Sequence, residues 1–287
     1  VPKVDNGSKE TSPEVWRVDG LSRDEVEVVS EVDGHPAYGG TPSDVSVVEA
    51  IQDLKARGYR VTLYPFVAMD IQAADELPDP DGVGDQGSYP WRGRIRAGTR
   101  DKSADARSDV ETFFGRTWGF RRFILHLAEL GAQAGLGDGD AFLIGSEMVG
   151  LTRPRDGSGA YPATEALVDL AGDARAILGA DVAISYAADW SELCAWQTGD
   201  GSGDVLFPLD DLWSDAEIDF VGVDYYVPLS DWREGRDHLD AALASDVHDV
   251  NYLTSQIEGG EGFDYYYAST ADRRDLEPHR RRQRHPA

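Results

Sequence analysis

Short apolar runs alternate along the chain with longer segments in which apolar residues recur every third or fourth position. Periodicity of this kind is typical of helices that bury one face. It predicts a helix over 44–57, which Gly58 ends in a left-handed conformation. Two more helices are predicted, over 119–134 and from Pro162 to Gly179, the latter with proline in its first turn.

Four apolar runs are predicted to be buried strands. They occupy residues 61–67, 141–145, 182–186 and 220–223. Because the runs are apolar throughout and are separated by helices, they indicate parallel strands with helices packed on them. Two architectures remain open, a (β/α) barrel and a doubly wound open sheet. The strand count is lower than a closed (β/α)8 barrel requires.

The composition is that of an acidic globular protein, with 41% hydrophobic residues and a net charge of −26. Such acidity argues against nucleic acid and anionic membranes as partners, since both attract surplus Lys and Arg. No run is long enough for membrane insertion, and the first residues lack the apolar core of a signal peptide. Cys194 is the only cysteine, which excludes an internal disulfide framework and a multi-cysteine zinc site.

Two segments interrupt the alternation of helices and strands. Leu77–Thr99 is rich in Pro, Gly and Asp and is long for a simple connection, so it is either a binding loop or a surface insertion. Residues 273–287 are rich in arginine and lack apolar periodicity. We therefore predict one domain over 1–272, followed by a disordered basic tail.

Carboxylates stand at or just after the ends of the four predicted strands. They are Asp70, Glu147, Asp189 and Asp224. In a parallel α/β fold these strand ends meet at one face, where ligands bind. Glu147 directly follows a fully apolar run, so we expect its carboxyl group to be partly desolvated at the opening of the site. Desolvation of this kind would raise its pKa.

Amphipathic aromatic residues accompany these carboxylates. They are Tyr64, Tyr186, Trp190, Tyr225, Tyr226 and Trp232. Aromatic rings pack against sugars, while one carboxyl group protonates the leaving oxygen and a second attacks the anomeric carbon or activates water. The set indicates a glycosidase site. A second interpretation stays open, in which single carboxylates are helix caps or solvated loop residues.

The sequence lacks the motifs that are typical of other enzyme classes. The histidines show neither HxH nor HExxH spacing, which argues against a metal-dependent hydrolase. The glycines of 135–139 follow a helix and not a strand, so they predict a turn and not a dinucleotide loop. Ser146 lacks the spacing of a nucleophile elbow, and no phosphate-binding loop is present. No metal or cofactor is expected.

Long strings of the sequence resemble one known family. The strings are YGGTPSDVSVVEAIQDLKARGYRVTLYPFVAMDI (38–71), LPDPDG…YPWRGRI (77–95), FLIGSEMVGLT (142–152), ISYAADWSE (184–192), DGSGDVLFPLDDLW (200–213), IDFVGVDYYVPLSDWR (218–233) and IEGGEGFDYYYAS (257–269). They resemble the TIM-barrel-like, glycoside-hydrolase-like domain of the large baseplate protein of phage tails and gene transfer agents. The resemblance covers about residues 5–272.

The resemblance implies a (β/α)8 barrel related to retaining glycosidases. Glu147, at the family's FxIGSE strand end, would be the general acid/base. The substrate-binding residues would be Asp70, Tyr64, Tyr186, Asp189, Trp190, Glu192, Asp224, Tyr225 and Trp232. The family further implies a component of a virion or gene-transfer-agent tail particle, made in the cytoplasm. Its partners would be bacterial envelope glycan and other tail or baseplate proteins.

The chain also departs from the family. There, one strand precedes the segment that opens this chain, and further strands follow GGEG, one with a Thr-Glu pair that resembles the nucleophile. We therefore expect an incomplete barrel of about four to six strands, with that nucleophile missing. Glu258 and Glu261 lie in a glycine-rich setting that suits a turn.

Three functions stay open at this point. The domain hydrolyses or binds bacterial surface glycan or peptidoglycan, with Glu147 as general acid/base. Alternatively it is a non-catalytic structural or glycan-binding tail domain, because a fold does not fix a function. In the third case the chain is an inactive truncated fragment.

Overall fold

The computed structural model describes most of the chain from residue 44 to residue 280. The described residues are 17–18, 21–22, 31–32, 35–36, 42, 44–69, 84–85, 91–115, 119–193, 196–198, 201–226, 232–257, 265–266 and 268–280. The chain divides into two compact units, Val1–Asp224 and Tyr225–Ala287.

A parallel sheet forms the centre of the first unit. Its strands are β1 (Thr62–Leu63), β2 (Ala141–Ser146), β3 (Ala183–Asp189) and β4 (Gly222–Asp224). Their spatial order is β4-β3-β2-β1, and every pairing is parallel. The predicted α/β architecture is therefore confirmed. Within the described ranges the four strands do not close into a barrel, as expected for an incomplete one.

Helices connect the strands. They are α1 (Asp44–Ala56), α2 (Ala106–Gly115), α3 (Phe120–Ala134), α4 (Val149–Thr152), α5 (Pro162–Leu178), α6 (Trp190–Leu193) and α7 (Asp210–Trp213), with a 3₁₀ turn at Arg92–Arg94. The three predicted helices are confirmed as α1, α3 and α5. Gly58, with φ +83°, ends the first of them in the expected left-handed conformation. The sequence did not single out α2, because its ten residues hold too few apolar positions to show a period.

The core lies between the sheet and the long helices α3 and α5. Phe142 and Ile144 of β2 are fully buried against residues such as Ile124 of α3 and Leu167 of α5. Asp140 stabilises the amino end of the sheet. Its Oδ1 accepts a hydrogen bond of 2.9 Å from the N–H of Val61, the residue just before β1. The packed helices thus hold the strands in place, and the carboxyl ends of the strands lie where ligands bind in parallel α/β folds.

The two edge strands are shorter than predicted. The first predicted strand ran over 61–67, yet only Thr62–Leu63 pairs with β2. The fourth ran over 220–223, whereas β4 begins at Gly222, and Phe220 and Val221 are exposed. Each edge strand pairs on one side only within the described residues, so fewer hydrogen bonds hold it in extended form.

The second unit contains α8 (Val250–Ile257) and α9 (Thr270–Asp275). Tyr265–Tyr266 pairs antiparallel with His279–Arg280. These short elements include the first residues of the predicted basic tail, and residues 281–287 lie outside the described part. The disorder predicted for 273–287 stays a prediction. The predicted domain boundary after residue 272 stays a prediction.

Short antiparallel pairings complete the first unit. They join Arg17–Val18 to Leu21–Ser22, Glu31–Val32 to His35–Pro36, and Trp196–Gln197 to Val205–Leu206. No helix in the described part of the chain is both long and apolar enough to cross a membrane.

Candidate active site

Glu147 directly follows β2, and only 5% of its surface is exposed. Its backbone is left-handed, with φ +49°, and its N–H donates to the Ala187 carbonyl of β3 at 2.9 Å. The pairing of β2 with β3 shifts register between Leu143 and Ser146. Irregularities of this kind redirect the side chain that follows them. Here the register shift directs the Glu147 side chain toward the edge of the sheet at which the strands end.

Two neighbouring loop residues hold this carboxyl group. The indole Nε1–H of Trp91 donates to Glu147 Oε2 at 2.8 Å, and Arg92 Nη2 lies 3.1 Å from the same oxygen. Arg92 Nε also donates to the Ser146 carbonyl at 3.0 Å. Both residues belong to Leu77–Thr99, where the sequence left a binding loop and a surface insertion open. The described part of this loop contacts the principal candidate acid.

A close backbone approach fixes the position of this loop. The Ala97 N–H donates to the Gly150 carbonyl of α4 at 3.3 Å. A Cβ atom at Gly150 would lie 2.4 Å from the Ile95 carbonyl oxygen, so a larger residue does not fit. Because α4 begins two residues after Glu147, this contact ties the loop that carries Arg92 to the strand end that carries the acid.

Asp224 at the end of β4 joins the same cluster. Its Oδ2 accepts a hydrogen bond from the hydroxyl of Tyr64, the residue that follows β1. The same Asp224 oxygen lies 3.6 Å from Arg92 Nη2. Arg92 Nη2 also donates to the Tyr64 oxygen at 3.3 Å. One guanidinium therefore contacts two carboxyl groups and a phenol. Of the predicted site residues, Glu147, Asp224 and Tyr64 are brought together.

The surroundings of Glu147 favour its protonated form. Burial raises its pKa above the ordinary value, and the nearby Asp224 carboxyl acts in the same direction. The Trp91 hydrogen bond and the Arg92 charge oppose this without cancelling it. Burial and the bond to Asp224 also raise the pKa of Tyr64, which stays a neutral donor. A carboxyl group with a raised pKa is suited to donate a proton near neutral pH.

Tyr186 and Glu192 form a second cluster, which is fully buried. Their exposed fractions are 0% and 2%. The Tyr186 hydroxyl donates to Glu192 Oε1 at 3.1 Å and accepts the Met148 N–H at 2.7 Å. Burial raises the pKa of Glu192 to about 7. Their assignment to a sugar subsite stays a prediction, and the burial of both side chains counts against it.

The remaining predicted residues differ in their surroundings. Asp189 ends β3, and its Oδ1 accepts the Ser191 N–H at 2.9 Å, the capping contact that the sequence left open. Trp190 is exposed beside it. In the second unit Tyr225 is exposed, while the Trp232 ring packs 4.6 Å from that of His238.

Three predicted features lie outside the described residues. These are Asp70, expected at the end of the first strand, Cys194, and the glycine-rich turn that holds Glu258 and Glu261.

Sequence reasoning did not single out Arg92 and Trp91. Their loop was recognised, but nothing in its composition indicates which side chain reaches a carboxylate on a distant strand. The available signal was an arginine beside a tryptophan in a long loop of an acidic protein. Among the described residues, no group of three or more His, Cys, Asp or Glu is arranged to hold a metal ion.

Residues 118–286 match the model of a family described as the GTA TIM-barrel-like domain. The match spans more than half of the chain and contains Glu147, β2, β3 and β4. A search of curated proteins finds no match to the chain.

Proposed function

The chain belongs to the GTA TIM-barrel-like domain family, and from this premise we propose that it is a glycoside-hydrolase-like domain of a gene transfer agent or phage tail. Its substrate would be bacterial surface glycan or peptidoglycan, and Glu147 would be the general acid/base. The burial of Glu147 against Trp91 and Arg92 supports this most directly. A glycosidase needs one carboxyl group that keeps its proton until the glycosidic oxygen arrives.

The chemistry proposed for Glu147 is proton transfer to that oxygen. The bond from the anomeric carbon to the leaving oxygen then breaks, and positive charge develops on the sugar ring. Asp224, held by Tyr64 and Arg92, stands close enough to stabilise this charge electrostatically. After the leaving group departs, the oxygen of an incoming water bonds to the anomeric carbon and its proton passes to the Glu147 carboxylate, which restores the acid.

Exposed aromatic rings near these groups suit a sugar ligand. Phe66 follows Tyr64 by two residues, its ring lies 4.8 Å from the Arg92 guanidinium carbon, and 57% of its surface is exposed. Trp190 stands exposed after Asp189. Aromatic faces of this kind stack on the apolar faces of sugars. We propose that the particle meets the bacterial envelope through this edge, with other tail or baseplate proteins as its partners.

Reducing-end release tests this function. The whole chain is incubated with purified peptidoglycan and, separately, with bacterial surface polysaccharide, and new reducing ends are counted. Glu147→Gln keeps the shape of the side chain and removes its proton transfer, so turnover should fall by about 100-fold or more. The control is Glu49→Gln, an exposed glutamate of α1 that should leave turnover unchanged.

The other outcomes are equally informative. Turnover that survives Glu147→Gln would remove the acid/base assignment. Co-sedimentation with a glycan without new reducing ends would replace hydrolysis by the non-catalytic binding function. If the chain neither binds nor cleaves peptidoglycan and also neither binds nor cleaves the surface polysaccharide, the proposal is overturned.

A further inference from the structure

We infer that Tyr186 and Glu192 are positioning residues, which hold the backbone of Glu147 in its left-handed conformation through the Met148 amide. This inference rests on the proposed role of Glu147. It concerns the backbone that presents the carboxyl group, however, and can be tested without turnover.

The backbone of Glu147 needs external support. Its φ of +49° lies in a region that residues with a Cβ atom seldom adopt. Such a conformation persists only where the surrounding structure holds it, and it is enriched at functional sites. At the end of β2 the ladder hydrogen bonds that would supply this support are ending.

Two consecutive amides supply that support. The Glu147 N–H donates to the Ala187 carbonyl at 2.9 Å, and the Met148 N–H donates to the Tyr186 hydroxyl at 2.7 Å. These two N–H groups lie on either side of the Glu147 Cα atom, so together they restrict both of its backbone dihedral angles. Their acceptors belong to successive residues of β3. The neighbouring strand therefore sets the direction in which the Glu147 side chain leaves the backbone.

Glu192 orients the Tyr186 hydroxyl for this task. A buried phenol must donate its proton, and the Glu192 carboxyl oxygens lie 3.1 and 3.3 Å away. Donation to Glu192 leaves a lone pair of the phenol oxygen for the Met148 N–H. The chain of hydrogen bonds runs from amide to phenol to carboxyl group in one direction, which strengthens each member.

Glu192 is itself held by one residue of a helix and by the last residue of a strand. The Thr152 hydroxyl of α4 donates to Glu192 Oε1 at 2.6 Å, and the Asp189 N–H before α6 donates to Oε2 at 2.8 Å. The network therefore joins β3, α4 and α6 and reaches the amide that follows Glu147. Direct contact of Tyr186 or Glu192 with a sugar would require this network to open.

Removal of one hydroxyl group tests the inference. Tyr186→Phe keeps the buried ring and its packing but leaves the Met148 N–H without its acceptor. We expect the Met148 amide to exchange with deuterium roughly five- to tenfold faster, and the NMR titration of the Glu147 carboxyl carbon to change midpoint. Amides inside α5, such as that of Leu170, should keep their rates. Tyr59→Phe, at a residue 62% exposed, is the matched control and should change neither quantity.

Two variants at Glu192 test its part in the network. Glu192→Gln retains an oxygen that accepts from Tyr186 and should largely preserve Met148 protection. Glu192→Leu removes the acceptor and should lose that protection as Tyr186→Phe does. Equal behaviour of the two variants would exclude Glu192 from the network. If Tyr186→Phe does not fold, Thr152→Val probes the same chain from its other end, with a smaller change in the same direction expected.

The outcomes separate this inference from the proposed function. Unchanged Met148 exchange and an unchanged Glu147 titration in Tyr186→Phe would overturn the inference, whatever the hydrolysis assay gives. If both change while the wild-type chain releases no reducing ends, positioning stands and the proposed hydrolysis fails.

Discussion

Tyr64 donates a hydrogen bond to Asp224, although the strands that carry them lie at opposite edges of the sheet. In a flat sheet, strands three places apart are separated by about 14 Å. The contact therefore shows that the four strands curl into an arc whose carboxyl ends converge. Arg92 contacts Tyr64, Asp224 and Glu147, and so links the two ends of this arc to the strand between them.

Tyr64→Phe should weaken this convergence. The variant loses a hydrogen bond to a carboxyl group while keeping the ring, so the free energy of unfolding should fall by about 1–3 kcal/mol. Urea denaturation measures this change. Tyr59→Phe at the exposed surface should stay within about 0.5 kcal/mol of wild type. Equal stability of the two variants would mean that the bond contributes nothing.

Arg92→Met should raise the pKa of Glu147. The guanidinium 3.1 Å from Glu147 Oε2 stabilises the ionised carboxylate, and a neutral side chain of similar length removes that attraction. An adjacent opposite charge typically displaces a carboxyl pKa by about 1–3 pH units. The NMR titration of the Glu147 carboxyl carbon reports the midpoint. Arg57→Met, which removes a guanidinium paired with Asp53 at the surface, should leave that midpoint unchanged.

Ionisation of the Glu192 carboxyl group should lower the free energy of unfolding as the pH rises. Its pKa is about 7 in the folded protein against an ordinary value of 4.5, so the folded state binds this proton more tightly. The resulting stabilisation is fully present below about pH 4.5 and is lost as the pH rises through about 7. Between these limits it amounts to about 3 kcal/mol. The charges that also act here are those of Asp189 and Arg153.

Glu192→Gln should remove this dependence, because an amide does not titrate. Unfolding free energies of the variant and of wild type, each measured at pH 5 and pH 8, give the comparison. Wild type should lose more stability over this range than Glu192→Gln, while Glu129→Gln, at an exposed position of α3, should follow wild type. Parallel curves for wild type and Glu192→Gln would contradict the prediction.

Gly150→Ala should displace the loop that holds Glu147. The added methyl group would meet the Ile95 carbonyl oxygen at 2.4 Å, a backbone atom that moves only with its segment. Overpacking of this kind costs about 1–3 kcal/mol, and the Glu147 titration should change as Trp91 and Arg92 move. Gly172→Ala in α5 meets nothing within 4 Å and should instead stabilise the protein by up to about 1 kcal/mol. Thermal unfolding and the carboxyl titration, measured on both variants, distinguish these effects.

The elements that the sequence predicted correctly are those whose pattern is local. The periodicity of α1, α3 and α5 and the apolar runs of β2 and β3 need only neighbouring residues to be visible. The positions of Glu147 and Asp224 at strand ends were predicted in the same way, from the apolar runs that precede them. The edge strands were predicted too long, since the extent of a strand depends on its partner.

Only the tertiary structure could decide which groups contact the Glu147 carboxyl group and which are buried away from it. Trp91 meets Glu147 across 56 positions of the chain, and Tyr64 meets Asp224 across 160. No local pattern encodes such contacts, because they arise from the curl of the sheet and from the close approach that Gly150 permits. The burial of Tyr186 and Glu192 follows from the same packing. Residue type and spacing therefore determined which carboxyl groups stand at the strand ends, and packing determined which atoms face each other.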